Sequence, residues 1–139
     1  MEYISRYAEK DIERALRSAG AVLVVGPKFC GKTTTSMRFQ NSFVKLNTSS
    51  RIKLARLNPM QTLSGEKPRL IDEWQTVPEI WNCVKDNLDE DYEFGKYILT
   101  GSSTPVDKSE IHHSGAGRIT AVKMRPMSLF ESGESKGLV

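Results

Sequence analysis

The sequence predicts an α/β fold in which helices flank a mainly parallel sheet of five strands. Short apolar segments rich in β-branched residues alternate with segments of helical periodicity, as expected when helices join the strands of a parallel sheet. The chain has 139 residues and is 38% hydrophobic, which is enough for one compact core but not for two. One domain built in three layers is therefore expected.

The first half of the chain opens with a predicted amphipathic helix. Apolar residues recur at spacings of three and four over residues 4–18, and Gly20 closes that helix. Residues 21–25 are continuously apolar, which predicts a strand buried on both faces. The elements expected next are a helix over 34–40, a strand over 43–46 and a helix over 51–57. Pro59 is expected to stop that last helix.

The second half continues the alternation after a turn-rich loop at residues 64–68. A short apolar strand is predicted over 69–72, and the hydroxyl of Thr76 with Glu79 three residues later predicts a capping box that starts a helix. One apolar stripe lies on that helix and comprises Ile80, Trp81, Val84 and Leu88. The acidic run at 86–93 is expected to be solvated. The last two predicted strands cover residues 96–100 and 119–124.

Composition and charge narrow the possible classes of protein without excluding a nucleic-acid-binding one. Twenty Lys and Arg residues against 17 Asp and Glu residues give a formal charge of +3, too small to require an anionic polymer as partner. The longest apolar run, residues 21–25, is far shorter than the roughly 20 residues that cross a bilayer. The first six residues are mixed and charged, unlike a secretory signal. Cys30 and Cys83 alone form no disulfide framework, so a cytoplasmic location is expected.

The segment from Gly26 to Thr33 matches the pattern G-x-x-x-x-G-K-[ST] between an apolar strand and a helix. In such a loop the glycines let successive backbone N–H groups point at phosphate oxygens, and the helix N-terminus adds partial positive charge. Lys32 is expected to reach the outer phosphates, and the Thr33 hydroxyl to ligate Mg²⁺. The residues predicted to bind nucleotide are Gly26, Pro27, Lys28, Cys30, Gly31, Lys32, Thr33 and Thr34.

Asp72 and Glu73 supply the acidic groups that a hydrolytic nucleotide site needs. Asp72, at the end of a buried strand, is predicted to hold Mg²⁺, and Glu73 to polarise the attacking water. The spacing of 40 residues from Lys32 to Asp72 leaves room for the strand 69–72 to lie beside the strand 21–25. An Asn-Lys-x-Asp guanine signature is absent, which favours ATP over GTP.

Two further polar segments are candidates for the site, one after the predicted strand 96–100 and one before the predicted strand 119–124. Thr100, Ser102 and Ser103 could read the outer phosphate, and they equally suit an ordinary turn. Arg118 could present its guanidinium to a neighbouring subunit's phosphate, although a structural ion pair is the more common use of such a residue. His112 and its neighbour His113 have no ligand partners at zinc spacing and are expected to be solvated surface.

Taken together these motifs resemble the N-terminal ATP-binding core of the prokaryotic AAA-type predicted ATPases that carry a C-terminal domain of unknown function. The strings that carry the resemblance are the phosphate loop 26–33, Ile71-Asp72-Glu73-Trp74-Gln75, Leu99-Thr100-Gly101-Ser102-Ser103, residues 114–118, and Arg125-Pro126-Met127-Ser128-Leu129-Phe130-Glu131. The resemblance implies a three-layer phosphate-loop NTPase fold with ATP and Mg²⁺ as ligands. It also implies that residues 1–139 are a truncated core without the helical lid and C-terminal domain.

The resemblance assigns roles residue by residue. Lys32 and Thr33 would contact phosphate and metal, Asp72 and Glu73 would serve metal and water, Ser102 would sense phosphate, and Arg118 would act as an arginine finger in an assembled homo-oligomer.

The function expected from these residues is ATP binding and hydrolysis that drive conformational change in an attached or separate partner. A non-hydrolysing ATP-binding regulatory module is the alternative. A nucleic-acid-binding domain is disfavoured, because only the basic segment with Arg51, Lys53 and Arg56 supports it and no reading motif accompanies the charge.

Overall fold

The computed structural model describes residues 2–26, 32–102, 111–112 and 118–124, without the side chains of residues 2–8, Thr34 and 111–112. The strands are β1 (Ala21–Val25), β2 (Ser42–Lys45), β3 (Arg69–Asp72), β4 (Tyr97–Gly101), β5 (Ile111–His112) and β6 (Ile119–Lys123). The helices are α1 (Glu2–Ser18), α2 (Lys32–Ser36), α3 (Ser49–Leu57), α4 (Pro59–Thr62) and α5 (Glu79–Glu90), with a 3₁₀ turn at Trp74–Thr76. The predicted alternation of strands and helices is confirmed.

All strand pairs in the sheet are parallel, and the strand order is β2-β3-β4-β1-β6-β5. The five predicted strands are present, and the two-residue β5 adds a sixth at one edge. The prediction that the Asp72 strand lies beside β1 is wrong, because β4 lies between them and pairs with both. β4 is buried along its whole length, whereas the edge strand β2 is half exposed.

The sheet separates two hydrophobic clusters because side chains of each strand alternate between its faces. Along β1, Ala21 and Leu23 join one cluster, while Val22 and Val24 join the other. Helix α5 covers the first face with the predicted apolar stripe, and α1 covers the second with Ile12 and Ala15. The three-layer α/β arrangement expected from the sequence is thus observed, with the core on both sides of the sheet.

Helix α3 ends at Leu57, before Pro59, as predicted. Other helix boundaries differ from expectation. Pro59 starts the short helix α4, where its missing N–H costs nothing, and Asn58 caps that helix by accepting from the Gln61 N–H at 3.2 Å. Helix α2 begins at Lys32 and ends at Ser36.

The predicted Thr76 capping box is not formed. Thr76 ends the 3₁₀ turn, and its hydroxyl donates to the Glu73 carbonyl at 2.9 Å. Helix α5 begins at Glu79, and Pro78 precedes it without a side-chain cap.

The amino edge of the sheet holds a buried cation beside a buried phenol. Lys96 donates to Asn87 Oδ1 at 2.6 Å and to the Asp91 carbonyl at 3.0 Å, which closes the C-terminal end of α5. Its ammonium and that of Lys67 lie 5.8 and 4.6 Å from the centre of the Tyr97 ring. Burial raises the pKa of Tyr97 to about 12.

Candidate nucleotide site

The carboxyl edge of the sheet gathers most of the residues that the sequence singled out. Because β1, β3 and β4 are parallel, the residues that follow them meet at one edge. Gly26 follows β1 and its N–H donates to the Gly101 carbonyl at 3.2 Å, which ties the start of the phosphate loop to the end of β4. Pro27, Lys28, Cys30 and Gly31 lie outside the described residues, and of Thr34 only the backbone, within α2, is described.

Lys32, at the first residue of α2, is only 5% exposed. Its Nζ lies 3.7 Å from Glu73 Oε2, so the ammonium and the carboxylate form an ion pair at the end of β3. A buried ammonium is stable only beside a compensating negative charge. The structure therefore places the predicted phosphate-binding cation and the predicted water-polarising acid in contact.

Asp72, the last residue of β3, is the buried acid of the site, with 7% exposure. Its Oδ1 accepts hydrogen bonds from Thr33 Oγ1 at 2.7 Å and from Thr100 Oγ1 at 2.5 Å. Hydrogen bonds to an ionised acceptor are among the stronger ones in proteins, and two of them hold this carboxylate in one orientation. The two predicted metal residues, Thr33 and Asp72, are thus adjacent although 39 positions separate them in sequence.

The oxygen groups at this point suit a hard divalent cation. Magnesium prefers oxygen ligands and is usually bound by one or two carboxylates together with substrate phosphates. Thr33 and Asp72 present a hydroxyl and a carboxylate, which fits that use. Within the described part of the chain, no group of three or more His, Cys, Asp or Glu side chains could hold a metal. The residues present therefore fit Mg²⁺ that shares its coordination with phosphate oxygens.

Glu73 adopts a left-handed backbone conformation, with φ 60° and ψ 52°. A non-glycine residue there is uncommon, and such conformations persist where the surroundings hold them. Here the Glu73 N–H donates to Thr100 Oγ1 at 3.1 Å, and Glu73 Oε1 accepts from Gln75 Nε2 at 2.6 Å. With Lys32 beside Oε2, both carboxylate oxygens and the backbone N–H have a defined partner.

Thr100 and Ser102 belong to the same predicted polar segment but differ in burial and in hydrogen-bond partners. Thr100 is fully buried and bridges the Asp72 carboxylate and the Glu73 N–H, so its hydroxyl supports the acidic pair. Ser102 is exposed just beyond β4, and its Oγ lies 3.5 Å from Gln75 Nε2. Ser103 lies outside the described residues.

Gln75 contacts the site and the sequence reasoning did not single it out. Its amide lies between Glu73 and Ser102, at the ends of neighbouring strands. In the sequence, the contact is marked only by the position of Gln75, two residues after Glu73.

Arg118 lies at the amino ends of the strands, opposite the end where the nucleotide-site residues gather. It immediately precedes β6, and the Ala21 N–H donates to its carbonyl at 2.9 Å. Its guanidinium forms an ion pair with Asp89, in the acidic run that was expected to be solvated. The five residues of β1 span about 16 Å, which separates Arg118 from the nucleotide site of its own chain. A role toward a neighbouring subunit stays a prediction.

His112 pairs with Thr120 in the sheet through its backbone, whereas His113 lies outside the described residues. Cys83 carries a free thiol on α5, and burial raises its pKa. In the described segments, no helix is both long and apolar enough to cross a membrane.

Comparison with known proteins identifies the family. A family model described as AAA domain matches residues 18–132. Two uncharacterized proteins, Mb2031c of Mycobacterium bovis and Rv2008c of Mycobacterium tuberculosis, are each 29% identical over 134 residues, which is 94% of this chain and 30% of each relative. The chain thus spans under a third of the length of the curated relatives it matches.

Among solved structures, C. elegans PCH-2 aligns with a TM-score of 0.37 and 16% identity, covering 99% of this chain and 46% of that one. The family match covers most of the chain and agrees with the AAA-type core that the motifs resemble. The chain belongs to the AAA domain family and is a nucleotide-binding, ATPase-like domain.

Proposed function

We propose that this domain binds ATP with Mg²⁺ at the carboxyl edge of its sheet and hydrolyses it to ADP and phosphate. The observation that carries the proposal is the convergence of two pairs. Thr33 donates to Asp72 at 2.7 Å, and the Lys32 ammonium lies 3.7 Å from the Glu73 carboxylate. These are a metal-binding pair and a phosphate-and-water pair, held at the point where β1 and β3 end.

In this proposal Thr33 and Asp72 hold the metal ion. A bound Mg²⁺ would supply positive charge that offsets the negative charge of the phosphates. Thr100 orients the Asp72 carboxylate through its 2.5 Å hydrogen bond.

Lys32 contacts the outer phosphates and Glu73 acts on water. A full positive charge in a poorly solvated position stabilises the charge that builds up on the transferred phosphoryl group. Glu73 orients a water molecule and accepts its proton while the water oxygen bonds to the γ-phosphorus and ADP leaves. Ser102, exposed at the end of β4, is assigned to sense the outer phosphate.

The remaining assignments concern assembly. Arg118 is proposed to contact the nucleotide of a neighbouring subunit. It lies at the amino ends of the strands, too far from the nucleotide site of its own chain to contact nucleotide there. Residues 1–139 are proposed to be the ATP-binding core of a longer protein, in which turnover drives conformational change in an attached or separate partner. The coverage of only 30% of each relative supports this part.

Phosphate release by the wild type and by Glu73→Gln tests the hydrolysis step. The control is Glu90→Gln, because Glu90 is an exposed acid at the end of α5. We expect Glu73→Gln to keep its ATP affinity and to lose about 10²- to 10⁴-fold in turnover, the range for a general base. Equal turnover in all three proteins would contradict the role of Glu73. ATP binding without turnover by wild type would instead establish the non-hydrolysing regulatory module.

A further inference from the structure

We propose that Gln75 is a positioning residue that fixes the Glu73 carboxylate and links it to Ser102. The inference rests on the proposed hydrolysis and adds a residue that the motifs do not assign. Gln75 Nε2 donates to Glu73 Oε1 at 2.6 Å, a short contact for N–H to carboxylate, and lies 3.5 Å from Ser102 Oγ. One amide therefore spans the ends of β3 and β4.

The contact leaves each Glu73 oxygen with a different neighbour. Oε1 is held by the Gln75 amide, and Oε2 faces the Lys32 ammonium at 3.7 Å. Rotation about the terminal bond of a glutamate is broad unless a partner restricts it, and the hydrogen bond from Gln75 restricts it here. Gln75 thus fixes the direction in which Glu73 presents its lone pairs to water.

The backbone of the turn leaves Gln75 little freedom. Glu73, in its left-handed conformation, precedes the 3₁₀ turn, and the Thr76 hydroxyl donates to the Glu73 carbonyl at 2.9 Å. Trp74 anchors the turn in the core against Trp81, with ring centroids 5.3 Å apart. The amide of residue 75 is thereby aimed at the carboxylate two residues earlier.

Polar atoms are buried around Gln75 without hydrogen-bond partners, which is energetically unfavourable and is not explained by side-chain packing alone. Among the described residues, Gln75 Oε1 and Trp74 Nε1 are buried without a hydrogen-bond partner. A Cβ at Gly101 would lie 2.4 Å from that oxygen and 2.9 Å from that nitrogen, so only glycine leaves room for both groups. An apolar side chain at position 75 would avoid the unpaired oxygen but would leave Glu73 Oε1 without its donor.

Gln75 touches neither nucleotide nor water in this assignment and acts through Glu73. Its removal is therefore expected to lower kcat and to leave ATP affinity unchanged. The test compares Gln75→Met, which keeps length without an N–H donor, with Gln61→Met on the exposed face of α4. We expect Gln75→Met to lose about 10- to 100-fold in kcat, the effect of one hydrogen bond to a charged group, with the ATP Kd within about twofold.

A double variant separates positioning from a general structural role. In a Glu73→Gln background the carboxylate that Gln75 orients is gone, so adding Gln75→Met should lower the residual rate by less than about twofold. Urea unfolding of each variant shows that it is folded.

Three outcomes overturn the inference: unchanged kcat in Gln75→Met, the full loss repeated in the Glu73→Gln background, or an ATP Kd that weakens in parallel with kcat. Absence of turnover in wild type contradicts the proposed function, and the inference falls with it. Turnover in wild type with an unaffected Gln75→Met overturns the inference alone.

Discussion

Replacing Thr100 by Val removes one hydroxyl and nearly no volume from the centre of the site. The lost hydroxyl donates to Asp72 at 2.5 Å and accepts from the Glu73 N–H at 3.1 Å. A hydrogen bond to a charged group contributes about 1.5–3 kcal/mol, and a buried donor left unpaired costs about 1–3 kcal/mol. Since Thr33 still donates to Asp72, we expect the free energy of unfolding to fall by about 2–4 kcal/mol.

Thr120→Val is the matched control. Thr120 is also a buried strand residue, with 5% exposure, but its hydroxyl has no partner among the described residues. The same substitution there removes an unsatisfied hydroxyl rather than two hydrogen bonds. We expect no loss of stability at this position, and a gain of up to about 1 kcal/mol.

Urea unfolding followed by tryptophan fluorescence measures both changes. Both tryptophans of the chain, Trp74 and Trp81, lie in the core at 4% and 6% exposure, so their emission reports loss of packing near the site. Linear extrapolation gives the free energy of unfolding of each variant. The argument would be refuted if Thr100→Val lowered the free energy of unfolding by less than about 0.5 kcal/mol more than Thr120→Val does. Ordinary surface substitutions have effects of that size.

Two other substitutions test separate parts of the fold. Tyr97→Phe tests how stability depends on alkaline pH. Burial raises the pKa of Tyr97 in the folded state to about 12, against an ordinary 10 in the unfolded state. The unfolded wild type therefore ionises first, and its free energy of unfolding should fall as pH rises from 10 to 12. That loss, about 2–3 kcal/mol, should be absent from the variant in unfolding curves taken across this range, and equal pH profiles would contradict it. Gly95→Ala should destabilise the chain by about 1–3 kcal/mol, because φ is +70° and the new Cβ would lie 3.0 Å from the Leu16 carbonyl; a thermal melt equal to that of wild type would count against this.

The elements of this fold were predictable because their signals are local. The apolar run at β1 and the stripe on α5 each report their own periodicity, and the structure confirms both. The phosphate-loop pattern likewise predicted a helix directly after the loop, and helix α2 is present there, although it begins two residues earlier than expected, at Lys32.

The strand order was not predictable in the same way, since an apolar strand does not encode its neighbours. Insertion of β4 between β1 and β3 brings Thr100 against Asp72 and Ser102 near Gln75, and neither contact can be deduced from sequence spacing. The left-handed Glu73 also escaped prediction, because nothing in an apolar-Asp-Glu string requires that conformation. This conformation and the following 3₁₀ turn delay the start of α5 to Glu79 and explain why the capping box failed.

Calorimetric titration of ATP, with and without Mg²⁺, tests the central claim most directly. It compares wild type with Lys32→Ala, which removes the buried cation at the start of α2, and with Lys53→Ala, which removes an exposed cation on α3. We predict Mg²⁺-strengthened binding that Lys32→Ala abolishes and Lys53→Ala preserves. Equal binding by all three proteins, or no binding by wild type, would contradict the assignment of this edge of the sheet as the nucleotide site.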